Sequence, residues 1–233
     1  MEPRDRLIVA LDRSDRDEIL ALADSLSDAV GMFKVGLQAF VANGPAIVRE
    51  VAARGPVFLD LKLHDIPNTA SHAAAEAGTQ GATLLTVHAS GGVAMMQACR
   101  AATAASTRLL GVTILTSLGE DDLAQIGFEG DPLRNAVRLA RLAMVAGLDG
   151  VVASPLEIEA IRAACGEGPL IVVPGIRSSG EQAADQRRTM TAGDAVGRGA
   201  SYIVVGRPII AAQDPRAAAT RLVDEIAAAT RKR

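Results

Sequence analysis

The sequence predicts an α/β fold, a single-domain (β/α)8 TIM barrel spanning residues 1–233, and three observations carry that expectation. Eight short runs rich in Val, Ile and Leu recur along the chain, with Ala-rich amphipathic segments between them. The length of 233 residues matches one large α/β barrel. Aromatic residues make up only 2%, so aliphatic side chains must fill the core, as parallel strands buried on both faces require.

The runs follow in order. "LIVALD" (7–12), "MFKVGL" (32–37) and "VFLDLK" (57–62) are largely apolar, with polar or glycine residues in their C-terminal halves. "LLTVHA" (84–89), "LLGVTIL" (109–115) and "GVVAS" (150–154) continue the pattern. "LIVVPG" (170–175) and "YIVVG" (202–206) close it, each stopped by glycine. Between them, "RDEILALADSLSD" and "RNAVRLARLAMVAG" show helical periodicity, and Gly147 is placed to end the second helix. A doubly wound open sheet is the structural alternative, but it seldom needs eight strand–helix units.

Composition excludes several functions. A net charge of −3 gives no basic surface for nucleic acid, so an anionic ligand would need locally placed cations. Cys99 and Cys165 lie far apart without metal-type spacing, as expected for reduced thiols. His64, His72 and His88 also lack ligand spacing, so no metal is expected. The opening "MEPRDRLIVALD" lacks a secretory signal pattern, and no apolar run reaches the roughly 18 residues of a membrane span. A cytoplasmic protein without membrane partners is expected.

In a barrel the reactive groups gather at the C-terminal ends of the strands. Here those ends carry Asp12, Lys34, Asp60, Lys62, His88, Thr116 and Ser154. Alternation along "FLDLKLHDIPNT" puts Asp60 and Lys62 on one face and Leu59, Leu61 and Leu63 on the other. With the leucines against the helices, both charges aim into the barrel mouth, and Lys34 does so between Phe33 and Val35. His88, in parity with Thr86, is expected at the mouth as a hydrogen-bonding neighbour. After the last two strands, Gly175, Arg177, Gly206 and Arg207 form a candidate phosphate grip, glycine admitting backbone N–H groups and arginine adding forked donors. The polar segment 177–191 is long enough for a closing loop.

Lys34, Asp60, Lys62 and Asp65 form an array of alternating charge. A purely structural salt-bridge network would return little relative to apolar packing. At a catalytic face, a lysine flanked by carboxylates is suited to act as a general acid.

The string "DLKLHDIPNT" resembles the signature of the orotidine 5′-phosphate decarboxylase family. "IVALD", "FKVG", "TILTS", "PGIR", "DQRR" and "VVGRPI" resemble that family's bacterial branch, in order and over nearly the whole chain. The resemblance implies a cofactor-free (β/α)8 homodimer that decarboxylates orotidine 5′-phosphate to UMP, the last step of de novo UMP synthesis. It implies that Lys62 protonates carbon 6 and that Asp60 sits near the substrate carboxylate. Lys34 and Asp12 would bind ribose hydroxyls, and Thr116 and Ser117 the pyrimidine edge. Arg177, Gln186, Gly206 and Arg207 would lie around the phosphate and the closing loop. Asp65, with Thr69, would complete the neighbouring subunit's site. Ser178 stands where related sequences often carry proline, implying altered loop kinetics. Two rivals keep the same barrel: a metal-dependent sugar-phosphate synthase or decarboxylase of the superfamily, and a non-enzymatic nucleotide-binding barrel.

Overall fold

Eight parallel strands close on themselves in chain order in the computed structural model, which describes residues 1–176 and 190–231. They are β1 (Leu7–Ala10), β2 (Met32–Gly36), β3 (Val57–Leu63) and β4 (Ala82–His88), followed by β5 (Arg108–Val112), β6 (Gly150–Val152), β7 (Leu170–Val173) and β8 (Tyr202–Val205). Pairing of β1 with β8 joins the two ends of the sheet. All eight expected strands are present. Seven of them stop short of the expected C-terminal limit, because residues such as Asp12 and Ile114 leave the ladder to line the mouth. β3 and β4 differ in detail: β3 runs one residue further, and β4 begins earlier and ends at His88.

The period-two pattern sorts the strand side chains into two apolar layers. Inside the barrel, Ile8, Met32, Phe58, Leu84, Leu110, Val172 and Tyr202 form a plug. Outside it, Leu7, Val9, Phe33, Val35, Leu59, Leu85 and Ile203 pack against the helices. The interior plug closes the floor, so side chains one pleat further along each strand face an open mouth. At the β6–β7 contact, a Cβ on Gly150 would overlap the Leu170 carbonyl, so the close approach of these strands requires glycine.

Helices return the chain from each strand end to the next strand start. Several begin with an Asp whose carboxylate accepts orphan N–H groups. Asp15 accepts from Asp17 and Glu18 at the start of Arg16–Leu26. Asp131 and Asp214 do the same, each followed by a proline in the first turn, for Pro132–Val145 and Pro215–Thr230. The helix Pro132–Val145 is followed by Gly147 at φ 79°, the expected left-handed terminator. Among the described residues no helix is long and apolar enough to cross a membrane.

Candidate active site

The C-terminal mouth holds a cavity of about 300 Å³. Its wall is built in chain order from Asp12 after β1, Lys34 on β2, Asp60 and Lys62 on β3, Thr116 after β5, Gly175 after β7, and Gly206 and Arg207 after β8. These positions follow from the pleat. Lys34 stands two residues beyond Met32 and Asp60 two beyond Phe58, both plug residues, so each charge lies directly above the apolar floor.

The charges alternate along the wall. Lys34 Nζ donates to Asp12 Oδ1 at 3.0 Å and lies 3.8 Å from Asp60 Oδ2. Lys62 Nζ donates to the same Asp60 oxygen at 2.8 Å. Only 12% of the Asp60 side chain is exposed, against 28% for Lys62, so the inner carboxylate is shielded and the outer ammonium is reachable. Charge-assisted bonds of this kind exceed neutral ones in strength and fix the geometry.

Strand parity alone does not produce this arrangement. β3 and β4 lose register between Leu59, opposite Leu85, and Leu63, opposite Val87, so four steps on β3 match two on β4. Within the irregularity Lys62 takes a left-handed backbone at φ 54°, unique among non-glycine residues of the described chain. That conformation costs on the order of 1–3 kcal/mol for a residue with a Cβ and persists only where its surroundings hold it. Here the buried Thr86 hydroxyl bonds to Lys62. Oγ1 accepts the Lys62 N–H at 2.9 Å, and the hydroxyl donates to Asp60 Oδ1 at 3.0 Å. The leucines behave as expected: Leu59 is buried in the outer layer, and Leu61 and Leu63 pack against it.

Gly36 gives the network its space. A methyl group there would lie 2.7 Å from Lys34 Nζ and 3.2 Å from Asp12 Oδ1. The sequence marks this glycine only as a strand end.

Other expected residues lie elsewhere. Ser117 is exposed and outside the cavity lining. Ser154 is fully buried and caps a short helical turn, its Oγ accepting from the Leu156 N–H while its own N–H donates to Glu157. His88 is also outside the lining; its ring lies against His64, with centroids 5.3 Å apart. Burial above all, with the adjoining His64 ring and Lys62 ammonium, pushes His88 below the usual imidazole range. Asp65, just before the helix Pro67–Thr79, and Thr69, in its first turn, are exposed and outside the cavity lining of their own chain. Arg177, Ser178, Gln186 and the expected closing loop, apart from its last two residues, lie outside the described residues.

Comparison with known proteins follows the same line. Residues 5–222 match the model of the orotidine 5′-phosphate decarboxylase / HUMPS family. The chain is 51% identical over 220 residues to the orotidine 5′-phosphate decarboxylase of Anaeromyxobacter dehalogenans, covering 94% of this chain and 97% of that one. It is also 51% identical over 236 residues to that of Moorella thermoacetica, covering 97% and 94% respectively. Among solved structures, orotidine 5′-phosphate decarboxylase from Lactobacillus acidophilus superposes with a TM-score of 0.82 at 35% identity, covering 94% of this chain and 98% of that one.

Proposed function

The chain belongs to the orotidine 5′-phosphate decarboxylase / HUMPS family, and from that premise we infer that it converts orotidine 5′-phosphate to UMP and carbon dioxide in pyrimidine biosynthesis. The observation that carries the choice of chemistry is the Lys62 ammonium, held 2.8 Å from a shielded carboxylate at the wall of the cavity.

The bond between C6 and the carboxylate carbon breaks, and its electron pair stays on C6 in the ring plane. Conjugation cannot spread that charge, so stabilisation must come from preorganised charges in a low-dielectric site. Lys62 supplies a cation beside the developing carbanion and then the proton that gives UMP, its amine regaining a proton from solvent. Asp60 faces the departing carboxylate and orients Lys62. Lys34 and Asp12 take the ribose hydroxyls, and Thr116 the pyrimidine edge, whereas Ser117, outside the cavity lining, takes no part. Gly206 and Arg207, with Gly175, take the phosphate; the roles given to Arg177 and Gln186 fall on residues outside those described. No cofactor or metal enters this scheme, and one cytoplasmic barrel domain carries it.

The functional unit in this reading is a homodimer in which Asp65 and Thr69 complete the partner's site. The outward placement of both residues supports it, as does the exposed Ile66 beside them. The exposed Leu37 and Val41 follow the neighbouring strand β2 and add apolar surface at the same end of the barrel.

Ultraviolet absorbance tests the reaction directly. Purified protein mixed with orotidine 5′-phosphate and EDTA is expected to produce UMP at a rate unchanged by the chelator. No turnover at micromolar enzyme would sink the reading, and loss of activity to EDTA would favour the metal-dependent rival.

Gly36→Ala offers a finer check. The backbone at Gly36 suits any residue, so the added methyl acts only by displacing the Lys34 ammonium from Asp12. Loss of a charged hydrogen bond predicts a fall in kcat/KM of about 10- to 100-fold. The melting temperature should move by only a few degrees. An unchanged kcat/KM would show that Lys34 tolerates displacement.

A further inference from the structure

We propose that Thr86 is a positioning residue, whose hydroxyl sets the backbone turn that aims the Lys62 ammonium into the cavity. The kinetic part of this proposal rests on the decarboxylase reading; its geometric part does not.

Three hydrogen bonds form a closed ring. The Thr86 hydroxyl donates to Asp60 Oδ1, Asp60 Oδ2 accepts from Lys62 Nζ, and the Lys62 N–H donates back to Thr86 Oγ1. Lys62 is therefore gripped at both ends, by its backbone and by its ammonium. The ring sits where the β3–β4 ladder is interrupted, so the Thr86 oxygen takes an N–H that the ladder leaves unpaired. A hydroxyl carries one proton and also accepts, and here both capacities are used inside a residue with no exposed surface. Valine has the same shape and can do neither. Serine keeps both.

The turn matters because a lysine side chain is flexible and its reach is set by where its tether starts. At φ 54° the Lys62 chain starts from the edge of the irregularity and returns over Asp60. With an extended backbone at this residue the tether would start in another direction. The hydroxyl thus couples the carboxylate and the proton donor: it fixes one oxygen of Asp60 while fixing the backbone of Lys62. Thr86 lies below the charges, two residues beyond the plug residue Leu84, and is absent from the cavity lining. It is placed to act through Asp60 and Lys62.

Thr86→Val and Thr86→Ser, made in the full chain, separate this role from a merely structural one. Crystal structures of the two variants read the geometry. In the valine variant Lys62 should leave the left-handed region, or its ammonium should leave Asp60; in the serine variant both should stay. Kinetics read the consequence. Thr86→Val should lower kcat by about 30-fold, the worth of one hydrogen bond to a charged group, with KM within about 3-fold of wild type. Thr86→Ser should restore kcat to within about 5-fold. The proposal is overturned if Thr86→Val leaves both the Lys62 backbone and kcat as in wild type, or if the serine variant falls as far as the valine one. If Thr86→Val does not fold, Thr86→Ala, which also lacks the hydroxyl, is read against Thr86→Ser by the same criteria. A wild-type protein inactive on orotidine 5′-phosphate would refute the assigned reaction instead, and the crystal structures would then decide the role of Thr86 on their own.

Discussion

Lys62→Ala is expected to abolish detectable decarboxylation of orotidine 5′-phosphate while leaving the barrel folded. Two contributions vanish together in this variant. A positioned general acid is worth about 10²–10⁴ in rate. A preorganised charge facing a developing anion is worth a further 10²–10³ or so. A loss of at least about 10⁴-fold in kcat follows, read by ultraviolet assay against a thermal melt. The fold survives because Asp60 keeps the Thr86 hydroxyl at 3.0 Å and Lys34 at 3.8 Å, and because Lys62 stands at the rim, outside the apolar plug. A residual rate within a hundredfold of wild type would refute the assignment of Lys62 as the acid.

The same position allows the strain to be measured without reference to turnover. Alanine keeps a Cβ at φ 54° and glycine does not. Lys62→Gly should therefore be more stable than Lys62→Ala by about 1 kcal/mol, the left-handed penalty less the extra freedom glycine has when unfolded. Urea titration of the two inactive variants gives the difference. Equal midpoints would mean that the turn carries no strain. The expected sign has a functional meaning: the wild-type residue is held in a conformation it would not choose, for the sake of where its ammonium lies.

That turn also shows what sequence can and cannot reveal. The barrel was legible because aliphatic runs and amphipathic segments alternate eight times, and burial on both faces of a parallel sheet demands that composition. Asp12, Lys34, Asp60, Thr116, Gly206 and Arg207 were legible because they fall where strands end. The irregularity within "DLKLH" was not, since it reads as unbroken alternation and no glycine or asparagine announces a left-handed residue. Asp60 and Lys62 do meet at the mouth, although the second arrives by a turn and not by parity. Thr86 could have been found by counting two residues from an interior leucine. Its neighbour two further on misleads the same count, because the His88 ring lies against His64. Ser154 misleads in another way, as a strand-end hydroxyl spent on capping. Gly36 carries no signal of its own, because its importance lies in the atoms that occupy the space a side chain would take.

Mixing two inactive variants, Lys62→Ala and Asp65→Ala, is expected to restore about a quarter of wild-type activity. In a two-fold symmetric dimer each site takes the same residues from the same sides. If a site combines Lys62 of one subunit with Asp65 of the other, a mixed dimer has one site lacking both residues and one site lacking neither. Random exchange makes half of the dimers mixed, and half of their sites intact. If Asp65 instead served its own chain, every site in the mixture would lack one residue, and no activity would return. Asp65 is exposed and outside the cavity of its own chain, its carboxylate engaged with the N–H of Ile66. A subunit boundary is a route by which so outward a residue could matter strongly to catalysis, covered and aimed by the partner. Native mass spectrometry of the mixture establishes that subunits have exchanged. Exchange without recovered activity would place Asp65 outside the reaction centre of either subunit.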